Sequence, residues 1–132
     1  MDSDMDYERT PAVLIIDNDE GLLSAIATRI ESLGYRCVTA RTGAQGLDEF
    51  RSDDIDLVIT DMNMPVLDGA GVIEQIRKTR DTPIIVVTGF KDEYTPLIKS
   101  MHEVQVIEKP FSSQDLIDVV ETEIFLRRST AA

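Results

Sequence analysis

Five short runs of apolar, largely β-branched residues, separated by segments of helical periodicity, constrain this chain more than any other feature. The runs are Ala12-Val13-Leu14-Ile15-Ile16, a weaker stretch from Tyr35 to Ala40, Leu57-Val58-Ile59-Thr60, Ile84-Ile85-Val86-Val87-Thr88, and Val104 to Ile107. A run that is apolar at every position has no face to give to water, which is the mark of a strand buried on both sides. Between the first two runs, Leu22, Leu23, Ile26, Ile30 and Leu33 recur at helical spacing, and Gly34 closes that helix. Ala44 to Phe50 reads as a second helix with Leu47 and Phe50 inward, and Val72, Ile73 and Ile76 mark a third. A fourth helix, Tyr94 to Met101, is the weakest pattern and carries Pro96, which fits a first turn. Leu116, Ile117, Val120, Ile124 and Phe125 give the last helix its apolar stripe, with Ser112 or Ser113 as N-cap.

Strands alternating with helices make a (βα)5 chain. Right-handed crossovers then give an α/β fold with a doubly wound parallel five-stranded sheet and helices on both faces. The length of 132 residues suits one domain. Residues 1–10 read as a flexible acidic tail, 11–128 as the domain and 129–132 as a C-terminal tail, with no output domain after it. Apolar residues at 42% and charged ones at 29% exclude disorder as the default. The single cysteine, Cys37, excludes an internal disulfide framework and a Cys-based zinc site. Cys37 reads as packing, lone His102 as a surface residue, and Met62 and Met64 as gap-fillers. No run is long enough to span a bilayer and the polar, acidic N-terminus is no signal peptide, so a cytoplasmic location is expected. A net charge of −12 opposes binding to nucleic-acid backbones and anionic membranes, so neither is expected as a partner.

In doubly wound sheets, ligands sit outside the carboxyl ends of the strands. Here the first strand ends in Asp17-Asn18-Asp19-Glu20, and the third in Asp61-Met62-Asn63-Met64-Pro65 followed by Asp68-Gly69. The fourth ends in Thr88-Gly89, and the fifth runs into Glu108-Lys109-Pro110-Phe111. Each alone has a plain structural reading as a helix cap, a strand end or a solvated charge. Together they place acids from two strands, a hydroxyl and a lysine on one rim. Converging carboxylates raise each other's pKa unless a cation sits between them. Oxygen donors without cysteine or histidine favour Mg²⁺, which keeps several waters and binds through one or two carboxylates plus a phosphate. A lysine and a hydroxyl can hold phosphoryl oxygens, and an aspartate here can act as a nucleophile that becomes an aspartyl phosphate.

These residues resemble the receiver domain of two-component response regulators, from Val13 to about Leu126. The resemblance rests on the acids after the first strand, on Asp56-Leu-Val-Ile-Thr-Asp61-Met-Asn-Met-Pro-Val-Leu-Asp-Gly69, on Thr88 before a small residue, and on Lys109-Pro110-Phe111. It implies the flavodoxin-like strand order 2-1-3-4-5 and a phosphorylation-dependent switch rather than a turnover enzyme. Asp61 would be the phosphoacceptor, charged by a histidine kinase or histidine phosphotransfer protein. Mg²⁺ (or Mn²⁺) would be held by Asp17, Asn18, Asp61 and the Asn63 carbonyl. Lys109 would neutralise phosphoryl charge and Thr88 would sense it. A downstream effector, or a second copy, would dock on the face from the fourth to the fifth helix.

Two positions depart from the family pattern. Asn18 stands where a second acid is usual, which removes one formal charge, although Asp19 could compensate through water. Val106 stands where relatives often carry Tyr or Phe, and the stretch from Thr88 to Lys109 is about one residue short. Two other readings compete. Asn18 and Val106 would suit a receiver used for docking without phosphate, although Asp61, Thr88 and Lys109 argue against it. Asp17-Asn18-Asp19 also fits the opening of haloacid-dehalogenase-like phosphohydrolases, with Asp17 as nucleophile and Asp19 as acid/base, but the later acidic pair that family needs is not found after Lys109.

Overall fold

The computed structural model describes residues 9–89 and 95–131. In chain order the elements are β1 (Ala12–Ile16), α1 (Glu20–Ser32), β2 (Arg36–Ala40), α2 (Gly43–Ser52), β3 (Leu57–Asp61), α3 (Gly69–Arg77), β4 (Ile84–Thr88), α4 (Thr95–Lys99), β5 (Val104–Glu108) and α5 (Ser113–Ala131). All strand pairs are parallel and the sheet order is β2-β1-β3-β4-β5, as the family resemblance implies. The three most apolar runs become β1, β3 and β4, each buried at all five positions, with polar residues only at the carboxyl ends of β3 and β4.

Two-residue periodicity divides those strands between two cores. Leu14, Ile16, Val58, Ile84 and Val86 pack with Leu47 and Phe50 of α2, Val72, Ile73 and Ile76 of α3, and Ile98 of α4. Val13, Ile15, Leu57, Ile59, Ile85 and Val87 pack with Leu23, Ile26 and Ile30 of α1 and Leu116, Ile117, Val120 and Ile124 of α5. Each such side chain, once fully buried, contributes about 1.5–3 kcal/mol of transfer free energy. The helices start where side chains can cap them. Asp19 Oδ1 accepts from the Leu22 N–H, Thr42 Oγ1 from the Gln45 N–H, Asp68 Oδ1 from the Gly71 N–H and Ser112 Oγ from the Asp115 N–H. Gly34, at φ +89°, follows the last turn of α1 in the left-handed conformation and donates to the Glu31 carbonyl.

Several sequence expectations need adjustment. Arg9 lies within the stretch read as a tail, yet its guanidinium pairs with Asp54 at 2.6 Å and Asp56 at 2.7 Å. Residues 1–8 lie outside the described residues. Helix α5 continues to Ala131, through most of the stretch 129–132 read as a C-terminal tail. Phe125 does not join its buried stripe: it is 68% exposed, because the stripe turns at Ile124. Of the expected fourth helix, Tyr94 lies outside the described residues. The helix that forms, Thr95–Lys99, has Pro96 in its first turn and ends before His102, which is exposed in the following turn. Cys37 is half-buried on the edge strand β2, and burial pushes its thiol up to about 12, which suits packing rather than reactivity.

Candidate functional site

Strand register assembles the rim. Ile16 pairs with Thr60, so the next residues, Asp17 and Asp61, emerge side by side at the carboxyl end of the sheet. Asp61 pairs with Val87, which places Thr88 one step on, and Thr88 pairs with Glu108, which places Lys109 one step further. Four residues separated widely in sequence thus stand in a row across four strand ends.

Three of them are buried: Asp17 is 4% exposed, Asp61 7% and Thr88 2%. Lys109 reaches across them, with Nζ 3.7 Å from Asp61 Oδ1. Its backbone is tied to the end of β4 by the Lys109 N–H, which donates to the Thr88 carbonyl at 2.7 Å, and the Lys109–Pro110 peptide is cis. Burial pushes the Asp17 carboxyl above its ordinary range, and the nearby charge of Asp61 adds to this. The Asp19 N–H, which donates to Asp17 Oδ1 at 2.8 Å, and the Lys109 ammonium pull the other way without cancelling it. One lysine therefore serves two buried carboxylates.

That imbalance is what a hard cation would relieve. Among the described residues no three His, Cys, Asp or Glu side chains sit close enough together to hold a metal. A cation at the rim would use the Asp17 and Asp61 carboxylates, neutral oxygens from Asn63 and Asn18, and water. Such a mixed, water-rich donor set fits Mg²⁺ (or Mn²⁺) better than a metal that demands an all-protein cage. Asn18 and Asn63 are both exposed at the mouth, where Asn18 follows the buried Asp17 directly. Asp19 is committed elsewhere. Its side chain caps α1, which weakens its part as a compensating acid and as the acid/base of a phosphohydrolase.

Val106 is half-buried in β5, paired with Val86 and packed into the core shared by α2, α3 and α4. It therefore lies on the same side of the sheet as α4, two positions along from the level of Thr88. In the sequence Asp68-Gly69 is only part of a motif, and in the structure each residue has a job. Asp68 caps α3, and a Cβ on Gly69 would stand 2.8 Å from the Asp61 carbonyl oxygen and 2.9 Å from Met62 Cα. The Gly69 N–H donates to the Met62 carbonyl at 2.9 Å, so this glycine lets α3 abut the segment that carries Asp61. Val66, at φ +70° and fully exposed, is a second feature that no residue type announced.

The chain matches the response regulator receiver domain family over residues 13–121, and it belongs to that family. A probable transcriptional regulator of Guillardia theta, ycf27, is 39% identical over 116 residues, covering 86% of this chain and 45% of that protein. The protein of the same name in Cyanidium caldarium is 36% identical over 110 residues, covering 83% and 44%. A response regulator receiver domain protein from Clostridium thermocellum superposes with a TM-score of 0.81 at 30% identity, covering 91% of this chain and 98% of that one. The signal receiver domain of an HD domain-containing protein from Pseudomonas fluorescens gives 0.85 at 26%, covering 92% and 99%. The chain spans less than half the length of the curated relatives named here. It is a receiver domain of the response regulators of two-component signalling.

Proposed function

We propose that this receiver domain is a phosphorylation-dependent switch whose phosphoacceptor is Asp61. The observation that carries the reading is the buried pair Asp17 and Asp61 with Lys109 Nζ 3.7 Å from the latter. An Asp61 carboxylate oxygen attacks the phosphorus of a phosphohistidine on a histidine kinase or histidine phosphotransfer protein. The P–N bond breaks, its electron pair leaves with the imidazole, and the imidazole takes up a proton. Lys109 shifts from the carboxylate to the phosphoryl oxygens, and the Thr88 hydroxyl donates to another of them. Asp17 and Asp61, with neutral oxygens from Asn63 and Asn18, would hold a Mg²⁺ ion, whose charge would favour the ionised form of Asp17. Bound Mg²⁺ would neutralise charge on the transferring group and on both carboxylates. The domain assists its own phosphorylation and dephosphorylation but does not turn over a small substrate.

The output is a protein effector or a second copy, engaged through the α4–β5–α5 face, in the cytoplasm and without nucleic acid or membrane. The direct test is incubation with acetyl phosphate and Mg²⁺ followed by a phosphate-affinity gel. Wild type should shift and Asp61→Asn should not, while both keep the same circular dichroism spectrum. A receiver that docks without phosphate, the reading that Asn18 and Val106 favour, would leave wild type unshifted while still binding its partner.

A further inference from the structure

We propose that Arg77 is a positioning residue that pins the turn between α4 and β5, so that α4 changes place by pivoting about its C-terminal end. This rests on the switch reading above and names the part of the fold that limits it. Arg77 is the last residue of α3. Its Nε and Nη2 donate to the His102 carbonyl at 3.1 and 2.8 Å, and Nη2 also donates to the Glu103 carbonyl at 3.2 Å. Nη1 donates to the carbonyls of Thr82 at 2.8 Å and Arg80 at 3.2 Å. A guanidinium carries five N–H groups in a fixed plane, and here every one has a backbone acceptor. Among the described residues Arg77 is thus a clamp on main chain rather than half of an ion pair. It joins the α3–β4 loop to the α4–β5 turn.

The turn needs holding. Glu103 adopts φ +58°, a left-handed conformation that is uncommon for a residue other than glycine. Its carbonyl accepts both from Arg77 and from the Ile84 N–H at 3.0 Å, which ties the same point to the start of β4. Just before it, Ser100 N–H donates to the Pro96 carbonyl and Met101 N–H to the Ile98 carbonyl, so the helix end runs straight into the clamped turn. Helix α4 itself is one short segment, anchored by the buried Ile98. A helix this short has little cooperative stability of its own, so its fixed point is decided by what grips its ends. Among the described residues the grip lies at the C-terminal end, which the pivot takes as its fixed point.

Amide hydrogen exchange on the full chain, with and without beryllofluoride and Mg²⁺, tests this in wild type and in Arg77→Lys, which keeps the charge but loses the planar fork. In wild type the mimic should alter exchange most at residues 95–98 and by less than about twofold at 102–104. Without the mimic, Arg77→Lys should speed exchange at 100–104 by about tenfold or more while the core amides of Ile59 and Ile85 change by less than about threefold. With the mimic, the altered stretch in the variant should extend through 104. Unchanged exchange at 100–104 in the variant, or acceleration equal to that of the core, would overturn the pin. Should Arg77→Lys not fold, the wild-type profile decides alone: changes as large at 102–104 as at 95–98 mean the whole helix shifts and the proposal is wrong. Phosphate-affinity gels on the same wild-type protein separate the two ideas. Absence of phosphorylation refutes the switch reading, while the mimic-free comparison still judges the clamp.

Discussion

Asp17 carries the clearest electrostatic signature at the rim, and the sign of its pH effect follows from its surroundings. Its folded-state carboxyl is raised by burial and by Asp61. The stability tied to that group therefore belongs to the protonated form: it is fully present below the unfolded carboxylate value of about 4 and is lost as pH rises through the folded value. Asn does not titrate, so metal-free Asp17→Asn should gain stability over wild type as pH rises from about 4 to neutrality. Urea midpoints across that range check it, and a constant difference would mean that Asp17 is not the group responsible. Asn18→Asp should act on the metal instead. A third carboxylate beside a divalent cation should tighten Mg²⁺ binding by on the order of 1 kcal/mol or more. Metal titration by NMR decides, and an unchanged dissociation constant would mean that position 18 points away from the cation. The residues of the rim were legible in the sequence because strand ends are where a doubly wound sheet collects polar groups. Arg77 was not legible, because its partners are backbone carbonyls, which leave no pattern of residue types. Asp19 was ambiguous for the opposite reason: an aspartate after a strand can serve a site or cap a helix, and here it caps α1.

At the scale of elements, β1, β3 and β4 were readable because strands buried on both faces are apolar up to their carboxyl ends. The edge strand β2, with exposed Arg36 and Thr39 and half-buried Cys37 and Val38, had a weaker pattern. Helix α4 was poorly legible because five residues containing a proline give no period to read. The apolar stripe of α5 ends at Ile124, one residue before its sequence pattern does, because Phe125 has the right chemistry but faces solvent. The contact between α3 and the end of β3 also hid in the sequence, although Gly69 was its marker. Gly69→Ala forces a Cβ into the Asp61 carbonyl and should cost about 1–3 kcal/mol, typical of overpacking. It should also slow phosphorylation by acetyl phosphate, because backbone, not a mobile side chain, has to yield. Denaturant midpoints and phosphorylation rates measured together check this, and a neutral effect on both would mean that α3 slides freely.

Across the whole molecule the two ends of the sheet do different work. The end opposite the site is laced by charge pairs: Arg9 with Asp54 and Asp56, Arg80 with Asp54, Arg127 with Asp56, and Arg36 with Asp53. The Arg36 guanidinium holds the Asp53 carboxyl below its usual range. Its contribution is present above the unfolded carboxylate value and lost as pH falls through the folded one. Both partners are partly exposed, so solvent screening keeps the pair within about 1 kcal/mol. The opposite end gathers buried, underneutralised carboxylates beside Thr88, where a new charge has most to act on. If Thr88 swings toward a phosphoryl oxygen, Val106, unlike the aromatic ring relatives often carry there, is too small to rotate into the space it leaves, so the response should leave through α4 and the loop before it. Beryllofluoride should change hydrogen exchange most between Gly89 and Met101, of which residues 90–94 lie outside the described residues, and less in β5. Largest changes in α1 or α2 would place the output elsewhere. All of this depends on where the phosphoryl group goes. Phosphorylation with acetyl phosphate and Mg²⁺, followed by borohydride reduction, converts an aspartyl phosphate to homoserine that peptide mass spectrometry can place. The account predicts homoserine at position 61 alone and none in Asp61→Asn; homoserine at position 17 or 19, or at no aspartate, would contradict it.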